Sequence, residues 1–304
     1  MKNKLSVIFI LLAGALWGSS CIFVNKLSSM GFSPMQCTAI RTLFGALILN
    51  AALLIKGRHH YKMSLASYGL CAASGICSVL SMCIFYYYSM TYTSAAVSAI
   101  LLYTAPLFVM IMSVLFLGER FTAKKIVAFV IAIIGCALVS GIVTGAAASG
   151  LGILFGVLSG FSYSLYGIFA DLFMKKNKEP LTFSALSFAF AALGALIISK
   201  PWQIVGVCAE AEKPYFLPLL FVVFSLCTAV LPYLFYTKGL TGVRPDVASI
   251  LAFSEPLMAA VFGIAVLGQP LDAWQVVGIL LVTLAIVVLN VNFRRRGGEE
   301  IQKL

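Results

Sequence analysis

Charge is what this chain has least of. Acidic and basic residues fill 10% of its 304 positions, against roughly a quarter in ordinary soluble domains. With a mean hydropathy of +1.04, that shortfall excludes a soluble globular class and leaves a polytopic membrane protein. Histidine is confined to His59 and His60, adjacent in a basic loop. No CxxC pair occurs, and of the eight cysteines only Cys208 sits in a polar stretch. The others fall in apolar runs, where a thiol behaves as a small hydrophobe. A disulfide framework has no support, and neither a metal nor a cofactor is expected. GxSxG, HExxH and GxxxxGK[ST] are missing, so no enzyme chemistry is indicated. The net charge is +11, but the basic residues are scattered over short loops, which argues against a nucleic-acid partner. The longest loop, near 200–214, is too short for a soluble sensor domain.

What the chain does have is apolar runs of about 20 residues, the length a helix needs to cross hydrocarbon. Ten are read, near 5–27, 34–55, 66–89, 94–117, 123–141, 150–173, 181–199, 215–238, 245–267 and 272–292. The opening "MKNKLSVIFILLAGALWG" resembles a secretory signal, but its apolar run continues to Leu27 and is read as an uncleaved first span. With the N-terminus in the cytoplasm, strict alternation leaves only Lys26, Lys200 and Lys213 outside and Arg41 within a span, out of 21 basic residues. Cytoplasmic loops carry such an excess of Lys and Arg. The fold class expected is therefore an all-α polytopic membrane protein of ten transmembrane helices, with N- and C-termini cytoplasmic.

The chain also repeats itself. "FYYYSMTYTSAAVSAILLYTAPLFVMIMSVLFLGE", from Phe85, aligns without a gap with "FYTKGLTGVRPDVASILAFSEPLMAAVFGIAVLGQ", from Phe235. "LLAGALWGSSCIFVNKL" in the first span likewise matches "VLSGFSYSLYGIFADLF" in the sixth, setting Trp17 opposite Tyr163. The halves are placed at 1–145 and 146–293, followed by a basic cytoplasmic tail, 294–304. Five spans per half is an odd number, so the second half enters the membrane from the opposite side. Inverted repeats of this kind give many secondary transporters two access states around a mid-membrane site.

"ALWGSSCIFVNK", "AIRTLFGALIL", "TAPLFVMIMSVLFLGER" and "LAFSEPLMAAVFGIAVLGQ", in this order and spacing, resemble the EamA family of the drug/metabolite transporter superfamily. The resemblance covers nearly the whole chain. It implies two inverted five-helix repeats around a central cavity lined mainly by spans 1, 3, 4, 6, 8 and 9. It also implies export or uptake of amino acids and similar small metabolites across the plasma (inner) membrane, with export the expected direction. The alternative is a multidrug exporter of lipophilic cations, with a non-transporting membrane protein a further one. One departure is visible: Gly118-Glu119 ends span four, whereas span nine ends in Gly268-Gln269.

Glu255 stands alone among apolar neighbours, about 14 Å from either end of its span. A charge at that depth must face protein or a wet cavity. It is the candidate for substrate binding and proton coupling, with protons as possible partners beside the small-molecule substrate and the lipid bilayer. The other reading is a hydrogen-bonded acid that holds helices together. Pro256 and its repeat partner Pro106 remove helical N–H donors and kink spans nine and four. Arg41, about 10 Å inside span two, is a possible anion site or ion-pair partner of Glu255, or else snorkels to the surface. Trp17, Tyr163 and Tyr103 are placed as substrate-binding lining, with plain interhelical packing the alternative. Tyr86, Tyr87 and Tyr88 are read as interfacial belt residues. Gly14/Gly18 and Gly152/Gly156/Gly160 suggest a close crossing of spans one and six.

Overall fold

The computed structural model describes residues 2–118, 122–139, 149–177, 179–210, 214–268 and 272–290. The tail 294–304, Glu119 and Gln269 lie outside the described residues. Within them the secondary structure is entirely helical. In chain order the α-helices are α1 (Lys2–Gly18), α2 (Ser20–Ser29), α3 (Pro34–Lys56), α4 (Leu65–Ala73), α5 (Ser81–Tyr92), α6 (Ala95–Leu102), α7 (Ala105–Leu117) and α8 (Ala123–Val139). The second half supplies α9 (Gly150–Asn177), α10 (Pro180–Ile198), α11 (Pro201–Glu210), α12 (Leu217–Ser225), α13 (Leu231–Gly239), α14 (Pro245–Leu251), α15 (Ser254–Ala265) and α16 (Ala273–Asn290).

Several of these join end to end, so that among the described residues 8 helical stretches are long and apolar enough to cross a bilayer. They run Lys4–Ser29, Pro34–Lys56, Leu65–Tyr92, Val97–Leu117, Gly150–Asn177, Pro180–Ile198, Pro214–Gly239 and Pro245–Ala265. The fifth and tenth apolar runs of the sequence form the shorter α8 and α16, of 17 and 18 residues. Local chemistry sets many of the ends. Ser33 and Gln36 form a reciprocal capping box with Pro34 in the first turn of α3, satisfying two donors that no helix can pair internally. Gly118 and Gly268, repeat equivalents at the ends of α7 and α15, both adopt left-handed backbone at φ 68° and φ 65°, which a side chain would resist.

The membrane helices are not continuous rods. Turns at Tyr103–Thr104 and Ala252–Phe253 interrupt spans four and nine just ahead of Pro106 and Pro256. The Ala252 carbonyl, deprived of the usual donor by Pro256, instead accepts the Glu255 N–H at 2.9 Å. Span one breaks at Ser19, whose hydroxyl donates to the Leu16 carbonyl at 2.6 Å. Spans three and eight carry π-helical turns at Ser74–Leu80 and Leu226–Val230, again at matching points of the two repeats.

Packing is largely between the halves. Helix α3 lies along α10 and α8 along α16; α1 packs on α13 and α15, as α9 packs on α5, α6 and α7. Exchanging the halves maps this pattern onto itself. The glycine spacing serves these contacts, which corrects the expected crossing of spans one and six. Gly14 and Gly18 abut Ser254, Glu255 and Ala259 of α15, whereas Gly152, Gly156 and Gly160 abut Tyr92, Leu101 and Thr104. A large buried cluster including Ile10, Ala13, Phe173, Phe188, Ile250 and Leu251 fills the end of the bundle where Lys56, Lys238 and Arg244 lie.

Candidate functional site

At the opposite end the helices part around a cavity of about 470 Å³. It reaches from Pro34 and Ala95, at that remote end, down to Trp17, Tyr163 and Glu255. The broken helices build its floor. The breaks of spans four and nine meet at a void of about 10 Å³ bordered by Tyr103, Pro106, Tyr163, Ser249, Phe253 and Glu255. Repeat partners touch each other there: Tyr103 and Phe253 lie 5.7 Å apart between ring centres, and Trp17 and Tyr163 lie 6.1 Å apart in an edge-to-face arrangement. The axis relating the halves therefore runs through the cavity floor.

Trp17, Tyr103, Tyr163, Glu255 and Arg41, separated by more than two hundred residues of chain, all face this cavity. Pro106 borders the small void, while Pro256 is buried in α15. Trp17 is only 6% exposed. Its indole packs edge-on to Tyr233 at 5.1 Å and obliquely to Tyr236 at 5.5 Å. Below it the Tyr166 hydroxyl shares a hydrogen bond of 2.9 Å with Thr237. This aromatic layer separates the cavity from the packed basic end.

Arg41 and Glu255 are the charged residues in the cavity wall. They form no ion pair, and Arg41 does not snorkel away. Its Nη2 donates to the Cys83 sulfur at 3.1 Å, and its buried Nε has no protein partner. The ion pair considered from the sequence is thus corrected: each group faces the shared space rather than the other. The Glu255 carboxylate has no hydrogen-bond or ion-pair partner among the described residues. A lone carboxylate at this depth is tolerable only because it fronts a cavity.

Some lining escaped the sequence reading. Tyr86 and Tyr87 turn into the cavity rather than forming an interfacial belt, and Tyr233 and Cys83 line it too. Only Tyr88 behaves as expected of a peripheral ring, stacking on Phe155 at 5.3 Å. A signal for Tyr233 was present, since the repeat alignment sets it opposite Cys83, one helical turn ahead of Tyr86 and Tyr87.

Comparison with known proteins fits this geometry. The profile of the EamA-like transporter family matches the chain twice, over residues 4–141 and 150–291. The chain belongs to the EamA-like transporter family. It is thus a multi-pass membrane protein of a transporter family. Relatives include an uncharacterized transporter of Archaeoglobus fulgidus, 28% identical over 92% of this chain and 94% of the relative. YwfM of Bacillus subtilis, also an uncharacterized transporter, is 25% identical over 97% of both chains. YicL of Salmonella typhimurium, an uncharacterized inner membrane transporter, is 23% identical over 97% of this chain and 98% of its own. A protein solved by crystallography superposes with a TM-score of 0.76 over 95% of this chain and 98% of that one, at 17% identity. That likeness is one of fold.

Proposed function

We propose that this EamA-family protein is a secondary transporter rather than an enzyme, moving a small zwitterionic metabolite, an amino acid or related compound, by alternating access. In this reading it crosses the cytoplasmic membrane ten times as two inverted five-helix halves, with both termini in the cytoplasm. The proposed direction of net movement is export, one of the two directions, export or uptake, that the family resemblance implies. The excess of basic residues on one side supports the orientation, and the name of the Salmonella relative supports the membrane.

The observation that carries the reading is the pair of opposite charges, Arg41 and Glu255, that line one cavity without a direct ion pair between them. Its volume of about 470 Å³ lies in the range of small-molecule sites. A carboxylate on the substrate pairs with the Arg41 guanidinium in a charge-assisted hydrogen bond. An ammonium pairs with Glu255, and an apolar remainder packs on Trp17, Tyr103 and Tyr163. A zwitterion supplies both missing counter-charges at once, offsetting the cost of holding two lone charges deep in a membrane protein. A lipophilic cation satisfies Glu255 but is repelled by Arg41, which disfavours the multidrug reading. Glu255, without a protein partner, is the proton-coupling group of the proposal.

Counterflow in proteoliposomes tests this, using a panel of radiolabelled amino acids with tetraphenylphosphonium for comparison. The expected result is saturable counterflow of at least one neutral amino acid, lost in folded Arg41→Gln. Counterflow of tetraphenylphosphonium alone rejects the zwitterion.

A further inference from the structure

Below the aromatic layer, at the basic end, Lys125 of α8 donates to a carboxylate oxygen of Asp246 in the first turn of α14. Both are buried, Lys125 at 9% and Asp246 at 2% exposure. The other Asp246 oxygen accepts the Val247 N–H at 2.8 Å, and the Asp246 carbonyl accepts the Ser249 hydroxyl at 2.9 Å. One ion pair thus binds the start of span five in the first half to the start of span nine in the second. It lies on the closed side of the cavity floor, where Val247, Ala248 and Ile250 are 5% exposed or less.

The repeat shows what the equivalent contact at the remote end would contain. The alignment takes Lys125 to Gln275, at the start of α16, and Asp246 to Ala96, at the start of α6. Neither carries a charge. If the halves exchange conformations, the contact that closes the remote end therefore lacks the ion pair that closes the basic end. We propose that Lys125–Asp246 is a one-sided latch: it holds the basic end shut and makes the cavity open at the remote end the resting state, and each opening toward the basic side must break it. Breaking a buried pair exposes two charges, and water entering an opening pathway solvates both, so the latch resists opening without forbidding it. The latch rests on the alternating-access reading above.

The native cysteines of the cavity report its access. In membranes, an impermeant maleimide is applied from either side, and modification of the peptides carrying Cys21 and Cys83 is followed by mass spectrometry. The expected result is labelling of the native protein chiefly from the remote side. In Asp246→Asn that rate falls at least about fivefold, and labelling from the basic side rises. The charge-exchanged K125D/D246K variant moves back toward native behaviour. A96D/Q275K leaves the buried pair intact and builds a second one at the remote end; it is expected to lower remote-side labelling, and it decides the matter if Asp246→Asn does not fold. Labelling rates equal to native in the folded variants overturn the latch. Counterflow by the native protein, measured on the same preparations, tests the transport reading separately: counterflow with unaltered labelling overturns the latch alone.

Discussion

A carboxyl group deep in a membrane protein can be tolerated through an ion pair, a hydrogen-bond network or a wet cavity, and this chain uses two of the three. Asp246 is neutralised by Lys125, whereas Glu255 faces open space beside Arg41 without bonding to it. An acid that serves only to hold helices together should be bonded to them, and Glu255 is not; the hydrogen-bonded alternative considered from the sequence therefore loses its support. Replacing Glu255 by Gln keeps its shape and removes its capacity to exchange a proton. The expected outcome is a folded protein whose melting temperature moves by less than about 4 °C and whose transport no longer depends on pH. A pH profile identical to that of the native protein in proteoliposomes removes Glu255 from coupling.

At the scale of the helices, close approach between the halves rests on positions without side chains. A Cβ on Gly18 would stand 2.7 Å from the Glu255 carbonyl oxygen and 2.8 Å from the Ala259 N. Both are backbone atoms, so relief requires α1 and α15 to separate. Gly18→Ala is therefore expected to cost about 1–3 kcal/mol and to lower the melting temperature in detergent. Gly69→Ala in α4, where nothing lies within 4 Å, is expected to be neutral or slightly stabilising; equal melting temperatures for the two variants would show that the α1–α15 contact yields freely. The small-residue spacing was legible in the sequence, but its partner was not. Spacing marks a face that can be approached and carries no address for the helix that approaches it. Legibility had the same limit elsewhere. Trp17, Tyr103, Tyr163 and Glu255 could be found because depth and repeat register are properties of the chain alone. The burial of Asp246 and the inward turn of Tyr86 depend on which helices lie alongside, and a linear count of residues from a span end cannot supply that. The breaks ahead of Pro106 and Pro256 were expected from the missing N–H groups, whereas the π-helical turns in spans three and eight have no comparable mark.

Across the whole molecule, the decisive relation is the one between the halves. Each major contact between them either joins equivalent helices, as with α3 and α10 or α8 and α16, or has a mirror contact, as with α1 on α15 and α9 on α7. In the proposed alternating access, such an interlocked pair of equivalent units has two arrangements, in which the halves trade conformations and the cavity changes sides. Charge differences between the repeats include Glu255 against Ala105, Arg41 against the uncharged stretch Ser187–Phe190, Asp246 against Ala96 and Lys125 against Gln275. The proposed alternating access assigns the preference for one state and its response to substrate to these polar side chains. The arrangement requires equivalent positions to lie on opposite faces of the membrane. Ser29, at the end of α2, and Lys175, near the end of α9, are such a pair, and both are exposed. Ser29→Cys and Lys175→Cys are expected to react with an impermeant maleimide from opposite sides, Ser29→Cys from the side on which the cavity opens. Reaction of both from the same side would mean that the halves are parallel, and exchange of conformations between them could not move the cavity across the bilayer.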